Sequence, residues 1–328
     1  MDIKRCDLCP RECGVDRAKR KKGYCQAGNK LKISWYGLHF GEEPVISGAG
    51  GPASTSTSEA RRGGSGTIFF CHCNLKCVFC QNWQISQPSS ALRFGGLRKG
   101  KGVYECKDYE GDEVVRIILE LQKKGAHNIN LVTPTIWSYW LKEIIIEAKK
   151  NGLKIPVIWN SNGYESVRVL REMGEAGAVD IYLPDYKYAS EKLARKYSSA
   201  PNYPEAAKKA ILEMQRQVGD LILDKNGIAK KGLIIRHLIL PNAMENTKGC
   251  LKFISSLSKK VHLSLMTQYN PLYRAKEFGE INRPINKEEF AAAEKLVSGF
   301  GIKNGWIQEF GGTVKCLNPD FRKDNPFG

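Results

Sequence analysis

The chain has 328 residues, 42% of them hydrophobic, which is enough for one large domain with a buried core plus a small module. Its 51 Lys and Arg residues against 34 Asp and Glu give a net charge of +17, which attracts acidic proteins or nucleic acid. Without a run of 18 apolar residues, and with a first segment (MDIKRC) that lacks the apolar core of a signal peptide, we expect neither a membrane span nor a leader.

Residues 1–30 form a cysteine-rich module that is too short for a core of its own. Cys6, Cys9, Cys13 and Cys25 follow the spacing C-x2-C-x3-C-x11-C, a closed set of four ligands typical of a structural or electron-carrying metal site. The spacing does not choose between zinc and a second [4Fe-4S] cluster, and free thiols are a third interpretation. We interpret the basic run Arg17–Lys22 beside the module as a solvated face.

Residues 31–66 are an extension between this module and the main domain. Its second half, residues 49–66, is rich in Gly, Ser and Thr, which predicts a flexible loop.

Residues 67–328 form the main domain, in which short apolar segments alternate with amphipathic ones. This alternation predicts an α/β fold with a parallel sheet, and its number of units suits a partial (β/α)6 barrel, with the working residues on loops after the strands. The predicted strands are Thr67–Phe70, His127–Val132, Ile155–Trp159, Val179–Leu183, Leu233–Leu240, His262–Met266 and Trp306–Phe310. The predicted helices are Asp112–Lys124, Ser138–Asn151, Glu165–Glu175, Tyr203–Val218, Asn246–Lys259 and Lys287–Gly299.

The first loop after a predicted strand carries Cys73, Cys77 and Cys80 in the spacing C-x3-C-x2-C. A cubane cluster takes four ligands, so three thiolates leave one iron open for chemistry. The alternative is a zinc site completed by Cys71 or His72. Alternation along the strand favours Cys71 facing away from the loop. We interpret Cys106, Cys250 and Cys316, which stand alone, as ordinary thiols. Grouped cysteines indicate metal ligands in place of disulfides, which implies a cytoplasmic protein.

The cysteine loop, with the segments CDLCPRECGV, HFGEEP, GSGTIFF and CVFCQN, resembles the radical SAM superfamily, near an uncharacterised branch similar to pyruvate formate-lyase activating enzyme. The resemblance covers Cys6 to about Phe310. It implies a partial barrel of the radical SAM type, a [4Fe-4S] cluster on Cys73, Cys77 and Cys80, and S-adenosyl-L-methionine as cosubstrate.

The resemblance also assigns cofactor contacts to the ends of the strands. Where the family has Gly-Gly-Glu, this chain has Thr133 and Thr135, and their backbone carbonyls are the implied contacts to the cofactor. Asn160-Ser161-Asn162-Gly163 is similar to the Asp-Thr-Asn-Gly of the activating enzymes, and Asp185-Tyr186-Lys187 to their Asp-Leu-Lys. The complete set of implied cofactor contacts is Phe79, Thr133, Thr135, Asn160, Asn162, Asp185, Lys187, Arg236, Gln268 and Tyr269. His39, Glu42, Glu43, Gln308 and Glu309 are further candidates for lining the site.

These features predict a radical SAM enzyme that abstracts hydrogen from a substrate, with a glycyl radical enzyme as one target. Radical modification of RNA, a peptide or a small metabolite is the alternative, and a non-catalytic iron–sulfur electron carrier is the alternative of another class. An acidic electron donor of the ferredoxin or flavodoxin type is the expected partner, and the basic surface also permits nucleic acid.

Overall fold

The computed structural model of the chain describes residues 1–48, 63–87, 106–311 and 318–328. Most of the predicted flexible loop (residues 49–62) and Cys316 lie outside the described residues. In the described part of the chain, no helix is long and apolar enough to cross a bilayer.

The strands of the described part are β1 (Leu31–His39), β2 (Ser65–Phe70), β3 (Lys107–Tyr109), β4 (Ile129–Val132), β5 (Val157–Ser161), β6 (Ile181–Pro184), β7 (Ile222–Leu223), β8 (Ala229–Leu238), β9 (His262–Met266) and β10 (Asn304–Ile307). The α-helices are α1 (Pro44–Ser47), α2 (Trp83–Ser86), α3 (Gly111–Lys123), α4 (Ser138–Lys150), α5 (Val167–Glu175), α6 (Glu191–Ser198), α7 (Tyr203–Val218), α8 (Met244–Leu257) and α9 (Lys287–Gly299). Short 3-10 turns cover Thr135–Trp137, Ala275–Glu277 and Gly279–Ile281.

Seven strands run parallel in the order β2-β4-β5-β6-β8-β9-β10, which is also their order along the chain. Helices connect successive strands, as parallel pairing requires. The sheet ends at β10 on one side and continues through β2 into antiparallel strands on the other, so it stays open. This is the predicted α/β partial barrel, and every residue of β4, β5 and β6 is buried.

Strand β1 was not predicted from the sequence. It pairs antiparallel with β2, placing His39 opposite Ser65 and Tyr36 opposite Ile68, and its other edge pairs with β3. The extension between the cysteine module and the barrel therefore belongs to the same sheet. The turn after β1 brings Glu42 and Glu43 to the carboxyl ends of the parallel strands.

The N-terminal module (residues 1–30) contains no helix or strand and packs against the barrel through two arginines. Arg11 donates from Nε to the carbonyl of Asn74 at 3.0 Å and from its guanidinium to the carbonyl of Ser199. Arg17 is only 1% exposed, in contrast to the solvated face predicted for its basic run, whereas residues 18–22 of that run are exposed as predicted. The Arg17 guanidinium donates to the carbonyls of Gly28 and Ile136. Arg17 is buried because the docked module covers this end of the run.

Candidate functional site

A cavity of about 330 Å³ lies at the carboxyl ends of the parallel strands. Ligand sites of α/β sheets lie at this edge, where loops bring side chains from distant parts of the chain together. Most of the residues implied by the sequence line this cavity: Cys73, Cys77, Cys80, Phe79, Thr133, Asn160, Asn162, Asp185, Lys187, Arg236 and Gln268. Thr135 and Tyr269 are absent from its lining.

The loop after β2 places the three cysteines of the predicted cluster site together at the cavity, all as free thiols. Asn162 Nδ2 donates to Cys73 Sγ at 3.3 Å, Ser198 Oγ donates to Cys77 Sγ at 3.0 Å, and Cys80 Sγ shares a 3.3 Å hydrogen bond with Ser86 Oγ. Hydrogen bonds to ligand sulfurs tune an iron–sulfur cluster and orient the thiolates that hold it. Ser198 and Ser86 carry no sequence signal for this role, since each reaches its cysteine only through the fold.

The same thiols are poorly suited to ionise without a metal. Burial raises the pKa of Cys73 to about 11 and that of Cys80 to about 12, and burial also raises the pKa of Cys77. A bound metal ion reverses this preference, because it stabilises the thiolate that it binds.

Cys71 and Cys106 form a disulfide, with Cα atoms 6.0 Å apart. The sequence predicted metal ligands in place of disulfides, with Cys106 an ordinary thiol and Cys71 facing away from the loop or serving as an alternative ligand, so the expectation of no disulfide is wrong for this pair. The disulfide removes Cys71 from the ligand set. His72 lies outside the cavity lining, near the Trp137 ring with centroids 6.3 Å apart, so three thiols remain.

The two threonines after β4 are placed differently. Thr133 lines the cavity with φ +62°, a conformation that is strained for a β-branched residue and that concentrates at binding sites. Thr135 points into the core, where its hydroxyl donates to Glu165 at 2.7 Å and its carbonyl accepts from the backbone of Ser138. Its side chain and carbonyl are therefore both engaged away from the cavity.

The Asn160–Gly163 segment at the end of β5 supports the cysteine loop. Besides Cys73, Asn162 Nδ2 donates to Asn74 Oδ1 at 2.7 Å, and Asn162 Oδ1 accepts from the backbone of Tyr164 at 2.9 Å. Gly163 has φ +75°, and a Cβ there would lie 2.4 Å from the carbonyl oxygen of Asp185. Only glycine permits this close approach of the β5 and β6 exits.

Asp185 and Lys187 follow β6 and form an ion pair at 2.5 Å on the cavity wall. Both side chains are largely buried, with 23% and 16% exposed. Burial opposes the charge of Lys187, but the carboxylate of Asp185 holds its pKa above the usual value. The pair therefore presents one fixed positive and one fixed negative group to the cavity.

Arg236 lies on β8, and its charge is balanced by the turn that follows β1. Its guanidinium donates to Glu43 Oε1 at 2.7 Å and Oε2 at 2.5 Å, and to Glu42. Burial opposes ionisation of Glu43, but Arg236 holds its pKa below the usual range. Arg236 thus anchors the turn through Nε and Nη2, while its Nη1 donates to Asn160 Oδ1 at 3.5 Å on the cavity wall.

The remaining cavity residues come from the cysteine loop and the last strands. Phe79 packs edge-on against Tyr269 with ring centroids 5.6 Å apart, while the Tyr269 hydroxyl donates to the carbonyl of Ile281 at 2.7 Å. Gln268 accepts from Gln308 at 3.0 Å, and both line the cavity. Phe327, from the C-terminal segment, also lines it; no sequence pattern predicted this.

No group of three or more His, Cys, Asp and Glu side chains in residues 1–48, 63–87, 106–311 and 318–328 is arranged around a single metal ion. The ligands of a cubane each hold a different iron, so they do not converge on one point. Three free thiols beside a cavity that also carries charged and amide side chains fit such a cluster, whose fourth iron would then have no protein ligand among them.

A match to a protein family agrees with this chemistry. Residues 67–223 match the Radical SAM superfamily. Two uncharacterized proteins of Methanocaldococcus jannaschii are similar to 92% of this chain: one is 32% identical over 306 residues and is covered to 76%, the other 24% identical over 321 residues and covered to 80%. A solved domain of a pyruvate-formate lyase-activating enzyme from Bacteroides vulgatus is similar over 54% of this chain and 94% of that domain, with 14% identity and a TM-score of 0.38.

Proposed function

We propose a function on the premise that this chain belongs to the radical SAM superfamily. In this proposal it is an enzyme in which Cys73, Cys77 and Cys80 hold three irons of a [4Fe-4S] cluster and S-adenosyl-L-methionine occupies the adjoining cavity. When bound, cluster and cosubstrate supply a 5′-deoxyadenosyl radical that takes a hydrogen atom from the substrate. The observation that carries the proposal is the set of three free thiols at an open cavity, with the nearby Cys71 held in a disulfide.

In this proposal, residues on each wall of the cavity contact a different part of the cosubstrate. Asp185 and Lys187 face the ammonium and carboxylate of the methionine part, since they offer complementary fixed charges. Thr133, Asn160 and Asn162 supply polar contacts from neighbouring strand ends. Phe79 provides an apolar surface for the adenine.

For the substrate we propose a glycyl segment of a partner protein. This proposal rests on the motifs after β5 and β6, which are similar to those of the activating enzymes. An acidic one-electron donor protein is the proposed reductant, because the net charge of +17 attracts such a partner. We place the enzyme in the cytoplasm, where thiolate-bound clusters are kept reduced, although a disulfide such as Cys71–Cys106 is rare in that compartment.

The test is anaerobic reconstitution followed by dithionite and S-adenosyl-L-methionine, with 5′-deoxyadenosine measured by chromatography. The wild-type chain should form the nucleoside, and Cys77→Ala should abolish it. Cys250→Ala, which changes a buried free thiol far along the chain, is the matched control and should retain it. The proposed chemistry would be refuted if the wild-type chain formed no 5′-deoxyadenosine, or if Cys77→Ala formed as much of it as the wild type.

The substrate requires a separate test. A glycyl radical signal in a co-incubated partner, detected by electron paramagnetic resonance, supports the activase assignment. Nucleoside formation that is stimulated by RNA and lost at high salt would favour RNA modification over it.

A further inference from the structure

The four cysteines of the N-terminal module line one small cavity on the far side of the cysteine loop. Cys6, Cys9, Cys13 and Cys25 are all free thiols, and Cys6, Cys9 and Cys25 are buried. The rest of the cavity wall is formed by Leu8, Arg11, Glu12, Val15, Arg17, Gly23 and Ile136. Residues that are distant along the module thus converge on one place without any helix or strand to hold them there.

Backbone amides are directed at these sulfurs. The N–H groups of Arg11 and Ala27 face the thiols of Cys9 and Cys25, each two residues earlier in the chain. The N–H of Tyr24 donates to Cys13 Sγ at 3.4 Å. Hydrogen bonds of this kind orient the sulfur atoms of metal ligands.

The loop of the proposed cluster site repeats this local geometry. There, the N–H of Leu75 donates to Cys73 Sγ at 3.4 Å, and the N–H of Asn82 faces Cys80. In four of these five contacts the donor lies two residues after the cysteine, and Tyr24, eleven residues after Cys13, is the exception. The two cysteine groups share a backbone arrangement suited to metal-bound thiolates.

Arg17 brings a positive charge into the same place. Its side chain is almost completely buried, and it donates to the carbonyl of Gly28 at 2.9 and 2.7 Å and to that of Ile136 at 2.7 Å. Its guanidinium also lies over the rings of Trp137 and Trp140, at 5.1 and 4.8 Å. Within the described residues no carboxylate forms an ion pair with it.

A buried guanidinium without a carboxylate is costly unless another negative group balances it. Four neutral thiols would leave the charge unbalanced. Four thiolates around a divalent metal, or around an iron–sulfur cluster, carry a net negative charge and would balance it.

We propose that Cys6, Cys9, Cys13 and Cys25 bind a second, closed metal centre through four thiolates, with Arg17 as its buried counter-charge. The chemistry required is that of a thiophilic metal, supplied by zinc or by an iron–sulfur cluster. In this structure the four thiols do not surround a single ion position, so binding of one metal ion would require them to move inward. The proposal does not depend on the reaction proposed above.

The first experiment counts metal in a chain that lacks the other site. The variant Cys73→Ala/Cys77→Ala/Cys80→Ala is isolated anaerobically, reconstituted with iron and sulfide or loaded with zinc, desalted, and analysed by elemental analysis and absorption spectroscopy. One centre per chain should remain, as about one zinc ion or about four iron ions with visible charge-transfer absorption. Adding Cys9→Ser and Cys25→Ser should remove it, and adding Cys250→Ala instead should not.

Two results would overturn the proposal: a triple variant that holds no metal under either loading, or metal content unchanged by Cys9→Ser and Cys25→Ser. Circular dichroism of each variant establishes that the barrel is folded. Because this readout is metal content, it separates failure of the second centre from failure of the proposed radical chemistry.

A second experiment tests the counter-charge. Arg17→Gln removes the buried positive charge, whereas Arg20→Gln removes an exposed one from the same run and serves as the control. In the triple-alanine background, Arg17→Gln should lose metal to a chelator at least tenfold faster than Arg20→Gln. Equal rates would show that Arg17 does not balance the centre.

Discussion

Gly163→Ala tests whether the close approach of the β5 and β6 exits is required for stability. Residue 163 has φ +75°, which costs an alanine about 1–2 kcal/mol. The added Cβ would also lie 2.4 Å from the Asp185 carbonyl oxygen and 3.3 Å from the Tyr203 hydroxyl. The nearer atom belongs to the backbone and cannot rotate away, so relief requires a backbone shift worth about 1–3 kcal/mol more. We expect Gly163→Ala to lower the free energy of unfolding by about 2–5 kcal/mol in total.

Gly177→Ala is the matched control. Gly177 also has a left-handed conformation, φ +59°, but a Cβ there would meet nothing within 4 Å. Only the conformational cost of about 1–2 kcal/mol applies. In thermal denaturation followed by circular dichroism, Gly163→Ala should therefore melt about 2–12 °C below Gly177→Ala, since 1 kcal/mol shifts the Tm of a large domain by about 2–4 °C. Equal melting temperatures would refute the claim that the contact with Asp185 is rigid.

Three further predictions concern buried groups around the cavity. Arg236→Met should lower the free energy of unfolding by about 3–5 kcal/mol in chemical denaturation, because it leaves the buried carboxylates of Glu42 and Glu43 uncompensated. Reduction of the Cys71–Cys106 disulfide should cost about 3–4 kcal/mol, the loop-closure value for a separation of 35 residues, measured as a lower urea midpoint with reductant. Burial lowers the pKa of His237 to about 4, so the unfolded chain binds the extra proton between pH 6.5 and 4, and stability should fall by about 3 kcal/mol across that window.

Each of these predictions has its own control. Arg274→Met breaks a largely exposed pair with Glu277 and should cost no more than about 1 kcal/mol. A chain carrying Cys71→Ala and Cys106→Ala should show no response to reductant, and a response of wild-type size would point to another bond. His237→Gln should flatten the acid limb of the stability curve, and an unchanged limb would assign it to other groups.

The order of the barrel strands could be predicted from the sequence because each strand carries its own local signal. A short apolar run followed by an amphipathic segment suffices to place Ile129–Val132 or Val157–Ser161 in a parallel sheet. The cysteine loop and the Asp185–Lys187 pair could also be predicted from the sequence, since they follow strands whose ends meet at one edge of the sheet.

Other features depend on contacts that no local pattern carries. Strand β1 pairs with β2 across the whole Gly/Ser/Thr-rich segment, and Cys71 pairs with a cysteine 35 residues away. Burial of Arg17 requires the module to dock beside Ile136. In each case the local sequence suggests one environment and the fold supplies another.

The same distinction applies to Arg236. Its position inside an apolar strand indicated an inward charge, but its partners, Glu42 and Glu43, come from a turn almost two hundred residues earlier. From the sequence alone, a buried charge that anchors a turn cannot be distinguished from a buried charge that binds a ligand.

The contacts of the N-terminal module impose an order of events during synthesis. Arg17 bonds to a carbonyl 119 residues later, and Arg11 to one 188 residues later. At a ribosomal rate of about 5–20 residues per second, the module leaves the ribosome about 10–40 s before Ser199 is available to receive it. The barrel does not cover its four thiols during that interval, so early loading of the proposed second metal centre would hold the module together before it docks.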